Sequence, residues 1–334
     1  MYMRVLVIGG TRLSGPDVVA QLIERGHETA VLHRGQQEYN FSSRVQHFHG
    51  TLQDLEFLRY VGREYSPTAV VHMWAMHPAD IDRCAEAFSG MLERFVMISS
   101  ADVYAAFEAL EKRTPGVYPM PIGEDAPLRT GAYPEYEGPD YDKIGAELAA
   151  LRAWQARRLP AVIVRYPGVY GPGPVREWYW VKRVRDRRRQ IALPDGGLTF
   201  FHRGFFLNLA HAVTLALELG KPGRVYNAGD DVQFNVRQIT EMIGAALSHE
   251  WEIVSVPADA WPWGTPYSLY HGHLLLDTTR IKDELGYRDI VTPQEALRVT
   301  VEYLACRKPG IVPQIWSRGF DYTEEDAVIE RFRV

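Results

Sequence analysis

Short apolar runs alternate with helical patterns along the first half of the chain. Uninterrupted apolar runs predict buried strands at residues 5–8, 29–32, 69–72, 95–99 and 161–165. Apolar residues at helical spacing predict helices at residues 16–25, 55–61, 81–92 and 140–158. Strands that are apolar on both faces and alternate with helices are typical of βαβ units. The pattern therefore predicts an α/β fold with a doubly wound parallel sheet.

The predicted helix at residues 140–158 carries large apolar side chains at helical spacing. These are Ile144, Leu148, Leu151 and Trp154. Residues spaced in this way share one side of a helix, so we expect them to form its apolar face.

The texture of the sequence changes after Tyr166, where proline, glycine and tryptophan become frequent. This change predicts a smaller lobe that closes over a ligand. We assign residues 1–166, together with about 203–230, to a dinucleotide-binding domain. We assign about 167–202 and 231–334 to a substrate-binding lobe.

Composition narrows the class of protein. The chain has 334 residues with 46% hydrophobic and 24% charged residues, which is ordinary for a globular enzyme. A net charge of −5 argues against a nucleic-acid coat or a membrane-surface protein. Its two cysteines form no metal motif or disulfide framework, and no apolar run is long enough to span a bilayer. We therefore expect a cytoplasmic protein without a membrane partner.

A glycine-rich turn follows the first predicted strand, in the segment VLVIGGTRLSG at residues 5–15. Glycines in such a turn let the backbone approach a pyrophosphate at the start of the next helix. Gly9 and Gly15 take the outer positions of the usual fingerprint, whereas Arg12 takes the middle one. Because the turn lies between a strand and a helix, it predicts nucleotide binding.

The end of the second predicted strand indicates which nucleotide is bound. An NAD site usually has Asp or Glu there, to bind the ribose 2′-hydroxyl. This chain has His33 and Arg34 instead. Since arginine can bind a phosphate bidentately, and Arg12 adds a second charge, these residues favour NADP over NAD. The alternative is that both arginines are ordinary surface residues.

Seven segments, in order, resemble the extended and atypical short-chain dehydrogenase/reductases of the NAD-dependent epimerase/dehydratase family. They are GGTRLSG, VVHMWA, FVMISSADVY, YDKIGAELAA, RYPGVYGPG, GRVYNAGD and LLLDTTRIKDELGYR. Each match is weak alone, but together they cover most of the chain. The resemblance implies a Rossmann-type fold and hydride transfer on a sugar nucleotide or a related polar substrate. It also implies a homodimer.

The resemblance also implies roles for particular residues. It places catalytic groups at Ser100, Tyr141, Lys143 and Asp102. The cofactor-binding residues that we expect are Gly9, Thr11, Arg12, Leu13, Gly15, His33, Arg34, Leu52, Trp74, Ser99, Lys143, Tyr166 and Gly168. The expected substrate contacts are Arg203, Tyr104 and Tyr136. In this family a tyrosine removes the hydroxyl proton, and a nearby lysine lowers the pKa of that tyrosine.

The position of the catalytic tyrosine departs from the family pattern. The family has tyrosine four residues before the lysine, but here Pro139 stands four residues before Lys143. One alternative is that the helix begins late and Tyr141 points into the site from non-helical backbone. A second is that Tyr136 or Tyr133 enters from the preceding loop. The third is that no tyrosine serves, and the protein binds a cofactor without this chemistry.

Three further departures concern the adenine and substrate contacts. Thr51 replaces an aspartate that often contacts adenine, although the backbone of Leu52 can still do so. Phe201 replaces the arginine that binds a diphosphate, and Arg203 is on the same side of a strand. Gly168 replaces an asparagine. These departures argue against the family's standard UDP- or dTDP-sugar site. We therefore expect a related polar substrate that resembles a nucleotide sugar.

A basic run at residues 181–190 raises a second candidate function. It is consistent with an ordinary helix surface, with an anionic-substrate contact, or with RNA binding. The net negative charge and the absence of interleaved aromatic residues argue against nucleic acid. The alternative function is a nucleotide-sensing or RNA-binding protein on the same fold. The eleven histidines show no metal-binding spacing, so no metal is expected.

Overall fold

A sheet of seven parallel strands forms the centre of the protein in the computed structural model. The structure describes residues 2–42, 44–111, 118–134, 138–174, 176–261, 272–307, 320 and 322–333. The strands are β1 (Arg4–Ile8), β2 (Glu28–His33), β3 (Gln46–His49), β4 (Ala69–His72), β5 (Arg94–Ser100), β6 (Ala161–Tyr166), β7 (Gly168–Tyr170), β8 (Gln190–Pro194), β9 (Arg203–Phe205), β10 (Val225–Asn227) and β11 (Glu252–Val256). The order across the central sheet is β10-β6-β5-β4-β1-β2-β3.

This strand order confirms the predicted doubly wound α/β fold. The order reverses direction between β1 and β4, and ligands of such sheets bind beyond the carboxyl ends of the strands at that point. Two small parallel pairs, β7 with β9 and β8 with β11, lie outside the central sheet.

Helices connect and cover the strands. They are α1 (Gly15–Glu24), α2 (Leu55–Tyr65), α3 (Pro78–Ala87), α4 (Ala105–Glu111), α5 (Lys143–Gln155), α6 (Trp178–Arg185), α7 (Phe206–Leu219), α8 (Val236–Ala246), α9 (Thr279–Leu285), α10 (Pro293–Cys306) and α11 (Tyr322–Phe332). Proline in the first turn of α1 and of α3 matches the residue preference of that position.

Both faces of the central sheet are buried. Val7, Val71 and Val164 belong to one core, which also contains apolar residues of α1 and α7. Leu6 and Ile163 belong to the other core, which includes residues of α2, α3 and α5. Burial on two sides explains why these strands are uninterrupted apolar runs.

The face that α5 buries differs from the predicted one. Its buried apolar residues are alanines, namely Ala146, Ala149, Ala150 and Ala153. Leu148 is 46% exposed and Trp154 is 38% exposed. Small alanine side chains let the helix approach the sheet closely, so this side packs inward although it carries less apolar surface. The helix is also shorter than residues 140–158, because the Asp142 side chain caps it by accepting from the Gly145 backbone N–H at 2.8 Å.

A third core packs three helices together with residues that follow β5. It includes Trp180, Ile239 and Val301, from α6, α8 and α10. Helix α9 lies in the range that the sequence assigns to the substrate-binding lobe, but its Ile281 and Leu285 pack in the core beside α7. The domain division drawn from the sequence stays a prediction.

Two features bear on the expectations from composition. Within the described part of the chain, no helix is both long enough and apolar enough to cross a bilayer. Cys84 is a buried free thiol, and Cys306 is an exposed one.

Candidate functional site

The turn between β1 and α1 has a backbone that requires glycine at two places. Gly9 has a φ of +82°, which favours glycine. A Cβ atom on Gly15 would lie 2.7 Å from the carbonyl oxygen of Gly10, too close for any other residue. Such a tight strand-to-helix turn leaves backbone N–H groups at the start of α1 to bind a phosphate.

The middle of this turn faces solvent. Thr11 is half-buried, whereas Arg12 and Leu13 are exposed, and Leu13 has a φ of +51°. The Arg12 side chain donates to the side-chain oxygen of Gln37, in the loop after β2. Arg12 is therefore close to the carboxyl end of the second strand, where the sequence places the ribose of a dinucleotide.

A buried hydroxyl pair joins the glycine-rich turn to the other half of the sheet. The hydroxyls of Ser14 and Tyr166 lie 3.2 Å apart, and Tyr166 ends β6. Gly168 follows in β7, against the ring of Phe201. Tyr166 and Gly168 therefore lie at the same sheet edge as the turn.

His72 ends β4 at the point where the strand order reverses. It is fully buried, and burial, helped by the positive charge of Lys143, lowers its pKa to about 3. Its Nδ1 accepts from the Trp74 backbone N–H at 3.3 Å. Trp74 is 51% exposed, and Gly9 lies against its Cβ. A neutral imidazole and an exposed indole thus border the turn.

The lowered pKa of His72 predicts a loss of stability in acid. Unfolded histidine takes up a proton near pH 6.5 but buried His72 does not, so unfolding becomes more favourable below that pH. At about 1.4 kcal/mol per pH unit, His72 destabilises the fold by about 2 kcal/mol between pH 6.5 and 5. His72→Asn keeps an acceptor for Trp74 but does not titrate. We expect urea unfolding of this variant to show a smaller loss from pH 6.5 to 5, by about that amount.

The range above pH 8 provides the control for this measurement. His72 is neutral there in both the folded and unfolded states, so the two proteins should respond alike from pH 9 to 8. An equal acid response in the two proteins would contradict the buried neutral state of His72.

Two serines and a carboxylate stand at the carboxyl end of β5. Ser99 is buried, and its hydroxyl has no hydrogen-bond partner among the residues that the structure describes. The Ser100 hydroxyl accepts from the Asp102 backbone N–H at 3.4 Å and so begins the short turn Ala101–Val103. Asp102 Oδ1 is buried and also lacks a partner in the described chain. These two atoms are free to accept or donate hydrogen bonds to a bound molecule or to water.

Tyr141 reaches this carboxylate from the segment that precedes α5. Its hydroxyl donates to Asp102 Oδ2 at 2.5 Å. Burial raises the pKa of Asp102, while the hydrogen bonds from Tyr141 and Ser100 lower it. Since α5 begins at Lys143, Tyr141 lies outside the regular helix, which is the arrangement that the first of the three alternatives requires.

The other tyrosines of this region are placed differently. The ring of Tyr133 packs edge-on against that of Tyr141, with centroids 4.8 Å apart. Its hydroxyl accepts from the Ile144 backbone N–H at 3.3 Å. Burial raises the pKa of Tyr133, and the charge of Asp102 raises it further. Tyr136 lies outside the described residues.

Lys143 is the first residue of α5 and is buried. Its Nζ donates to the carbonyl oxygens of Ala75 at 2.8 Å and Ile98 at 3.1 Å. These carbonyls lie just beyond the end of β4 and within β5, on two neighbouring strands. The ammonium is therefore held at the strand edge near Ser99 and His72.

A buried ion pair joins β6 to α5 next to the site. Arg165 on β6 donates twice to the Glu147 carboxylate, at 2.9 and 2.6 Å. It also donates to the Tyr104 hydroxyl at 2.9 Å, which in turn donates to Asn227 at 2.6 Å. Tyr104 is fully buried within this network.

Arg203 is likewise buried and lies near a carboxylate. Its Nη1 is 3.4 Å from Glu177 Oε1, and the guanidinium packs over the Tyr170 ring. Both members of this pair are almost fully buried. Arg203 is one of the expected substrate contacts, and nothing in the sequence indicates its pairing with Glu177.

At the carboxyl end of β2 the fold brings together a group of histidines that was not predicted from the sequence. His33 Nε2 lies 3.0 Å from His47 Nδ1, and Glu38 reaches the same place. The signal in the sequence is His47-Phe48-His49, since alternate residues of a strand share one face. Arg34 is exposed next to this group, and Leu52 is buried at the start of the β3–α2 connection.

Acidic residues neutralise much of the basic run at residues 181–190. Arg183 is fully buried, and its Nη2 donates to Glu325 at 3.0 Å. Arg188 pairs with Asp326, and Lys182 pairs with Asp186. The pairs of Arg183 and Arg188 join the run to α11, which favours the structural interpretation over RNA binding.

The fold and the turn together define a Rossmann-type dinucleotide-binding protein, with a serine, a tyrosine and a lysine at the carboxyl edge of its sheet. The sequence model described as the NAD dependent epimerase/dehydratase family matches residues 5–229, about two thirds of the chain. The chain belongs to this family. It is thus an enzyme of the epimerase/dehydratase type that uses a nicotinamide dinucleotide, and the RNA-binding alternative is not favoured.

The chain is also similar to named relatives and to a solved structure. Human dTDP-D-glucose 4,6-dehydratase is 23% identical over 268 residues, covering 71% of this chain and 72% of the relative. The chloroplast stem-loop binding protein of 41 kDa b from Arabidopsis thaliana is 22% identical, covering 66% and 57%. The structure of dTDP-glucose 4,6-dehydratase from Bacillus anthracis in complex with NAD has a TM-score of 0.70 and 18% identity, covering 92% and 97%.

Proposed function

We propose that this protein oxidises a hydroxyl group of a nucleotide-linked sugar, with Tyr141 and Asp102 removing the proton. The observation that carries this proposal is the 2.5 Å hydrogen bond between these two side chains, beside Ser100 and Lys143. It brings a phenol, a carboxylate, a hydroxyl and an ammonium to the carboxyl edge of β4 and β5. That is the edge where this class of sheet binds its ligands.

The residues present fit a nicotinamide dinucleotide. Gly9 and Gly15 leave room for a pyrophosphate at the start of α1, and Ser99 offers a buried hydroxyl without a partner among the described residues. Lys143, whose Nζ donates to two backbone carbonyls, is the residue that the family resemblance assigns to the nicotinamide ribose. The cofactor, when bound, supplies the hydride acceptor.

The proton path follows from the charges at the site. A phenolate beside the Asp102 carboxylate would be disfavoured by like-charge repulsion. We therefore assign a relay in which Tyr141 takes the proton of the substrate hydroxyl as its own proton passes to Asp102. Burial raises the pKa of Asp102, which makes it a better proton acceptor for this step. Ser100 orients the substrate hydroxyl.

The choice between the two nicotinamide dinucleotides depends on the positive charge near the ribose. Arg12 and Arg34 are exposed near the end of β2, and the strand itself ends in His33 rather than in a carboxylate. These residues support NADP as the preferred cofactor, as the sequence predicts. Glu38 is the carboxylate that approaches His33, and it belongs to the loop rather than to the strand.

Arg12→Gly should weaken NADPH binding more than NADH binding. Removing the guanidinium deletes a cation that only the 2′-phosphate of NADPH requires. Fluorescence titration of both reduced cofactors against wild type and variant measures the two affinities. Equal weakening of both cofactors would show that Arg12 serves the pyrophosphate or the turn instead.

The substrate class is tested by turnover. Purified protein should be incubated with oxidised cofactor and a panel of UDP-, dTDP- and GDP-sugars, with products analysed by mass spectrometry and by cofactor absorbance. A keto sugar, a dehydrated sugar or an epimer from one of these substrates would support the proposal. If the protein binds neither NADPH nor NADH, the proposed function is wrong.

Oligomeric state and location also stay proposals. Exposed Leu148 on α5 offers apolar surface for the homodimer that the family resemblance implies. Size-exclusion chromatography with light scattering would measure the mass of the particle. Leu148→Lys should shift a dimer towards monomer. The proposed cytoplasmic location rests on cysteine usage and on the lack of a long apolar run in the sequence.

A further inference from the structure

We propose that His47, His49 and Glu38 form a binding site for a divalent transition metal such as zinc, with His33 positioned behind them. The candidate ligand atoms of these four residues all lie within 4.8 Å of one another. The site is at the carboxyl ends of β2 and β3, away from Tyr141 and Lys143.

Strand pairing explains how the histidines meet. His47 and His49 alternate along β3 and so share one face, and His33 is the direct partner of His49 across the β2–β3 pair. The rings of His33 and His49 pack edge-on, with centroids 4.7 Å apart. Glu38 approaches from the loop between the two strands.

The distances around Glu38 are short enough for its carboxylate and the histidines to bind one ion together. Its Oε1 lies 3.0 Å from His49 Nε2, and its Oε2 lies 3.7 Å from His47 Nδ1. Two imidazoles and one carboxylate are a known zinc-binding set, which leaves a fourth position for water. Small movements of His49 and Glu38, whose side chains are about half exposed, would close the set around an ion.

His33 has a different role because of its tautomer. Its Nδ1 accepts from the Gly35 backbone N–H at 3.2 Å, which places the proton on Nε2. Protonated Nε2 cannot ligate a metal; without one it donates to His47 Nδ1 at 3.0 Å, and it lies 3.8 Å from Glu38 Oε2. A metal on His47 Nδ1 would displace this hydrogen bond, and the His33 proton would then orient the Glu38 carboxylate, as groups behind metal ligands commonly do.

Metal binding would fix the loop that follows β2. Glu38 is the ligand on this loop, and its neighbour Gln37 accepts from Arg12 of the glycine-rich turn. Tying Glu38 to β3 therefore also holds the contact between the loop and the turn. Because a ligand that binds only the folded state stabilises it, zinc should raise the melting temperature.

Calorimetric titration with zinc tests the site. The parent protein for this titration is untagged and carries Cys306→Ser, because the exposed thiol would compete for zinc. A weak chelator sets the free zinc concentration. We expect one zinc ion per chain. His47→Ala, His49→Ala and Glu38→Gln should each lower the affinity by more than about 100-fold, whereas His33→Phe should lower it by about 10–100-fold.

The control is His273→Gln, which removes an exposed histidine of the smaller lobe and should leave zinc affinity unchanged. Circular dichroism and a melting curve without zinc establish that each variant folds. No zinc binding by the parent protein, or wild-type affinity in His47→Ala/His49→Ala, would overturn the site. A loss in His33→Phe as large as in His47→Ala would overturn its assigned position behind the ligands. Zinc binding needs no cofactor, so failure here leaves the proposed function intact.

Discussion

Tyr141→Phe should lower kcat by about 10²–10⁴-fold, the usual contribution of general acid–base catalysis. The change deletes one hydroxyl, which donates to Asp102 at 2.5 Å, and keeps the ring that packs against Tyr133. Without the hydroxyl the substrate proton has no path to the carboxylate. Cofactor affinity should be unchanged, because Lys143 and the glycine-rich turn remain. Initial rates and a cofactor titration measure the two quantities separately.

Tyr133→Phe is the matched control, because it removes a hydroxyl from the ring that touches Tyr141. That hydroxyl accepts a backbone hydrogen bond at the start of α5, so a modest loss of stability is expected with most activity retained. The reverse result, inactivation by Tyr133→Phe with activity retained in Tyr141→Phe, would favour Tyr133 as the catalytic tyrosine. Activity in both variants would contradict the proton path altogether.

Asp102→Asn distinguishes the relay through Tyr141 to Asp102 from a mechanism in which Tyr141 alone acts as the base. The relay needs an ionised carboxylate, so activity should fall in acid as Asp102 becomes protonated, at a pH raised by its burial. Asparagine keeps the shape but accepts no proton. The variant should be slow at every pH and should lack this acid limb of the kcat profile.

Arg165→Met should reduce the free energy of unfolding by about 3–5 kcal/mol, because it leaves the buried Glu147 carboxylate without its counterion. The pair is bidentate, and both side chains are less than 5% exposed. Arg165 also donates to Tyr104 and to the Glu124 carbonyl, so the variant leaves further buried acceptors without a donor. Urea unfolding at pH 7 measures the change.

Two variants test whether burial is the cause of this effect. Arg298→Met removes a cation from an exposed ion pair with Glu295 and Glu302, and solvent screening should make its effect small. Arg165→Met/Glu147→Leu removes both buried charges and should recover much of the lost stability. A small loss in Arg165→Met alone would contradict the assigned burial of the pair.

The turn and the sheet follow from local sequence to a large extent. Continuous apolar strands exist because both faces of the sheet are buried, so their pattern predicted β1, β2, β4, β5 and β6 with small errors at the ends. Gly9 and Gly15 are needed for local backbone reasons, which a sequence displays directly. Family membership also followed from the order of short motifs.

The inward face of α5 could not be predicted in the same way. Periodicity places Leu148 and Trp154 on one side, but it does not say which side meets the sheet. Packing selected the alanine side, because a helix with small residues fits closely against β5, β6 and α3. This choice depends on the shape of the neighbouring elements.

The sequence by itself determined the parallel sheet, the glycine turn, the family and the presence of Ser100 and Lys143, because each is encoded in a short continuous segment. Only the tertiary structure decided that Tyr141 donates to Asp102, 39 residues earlier in the chain. It likewise brought His33 to His47 and Glu38. The physical reason is that strand pairing and a late helix start bring distant residues into contact, whereas a sequence pattern records only spacing along the chain.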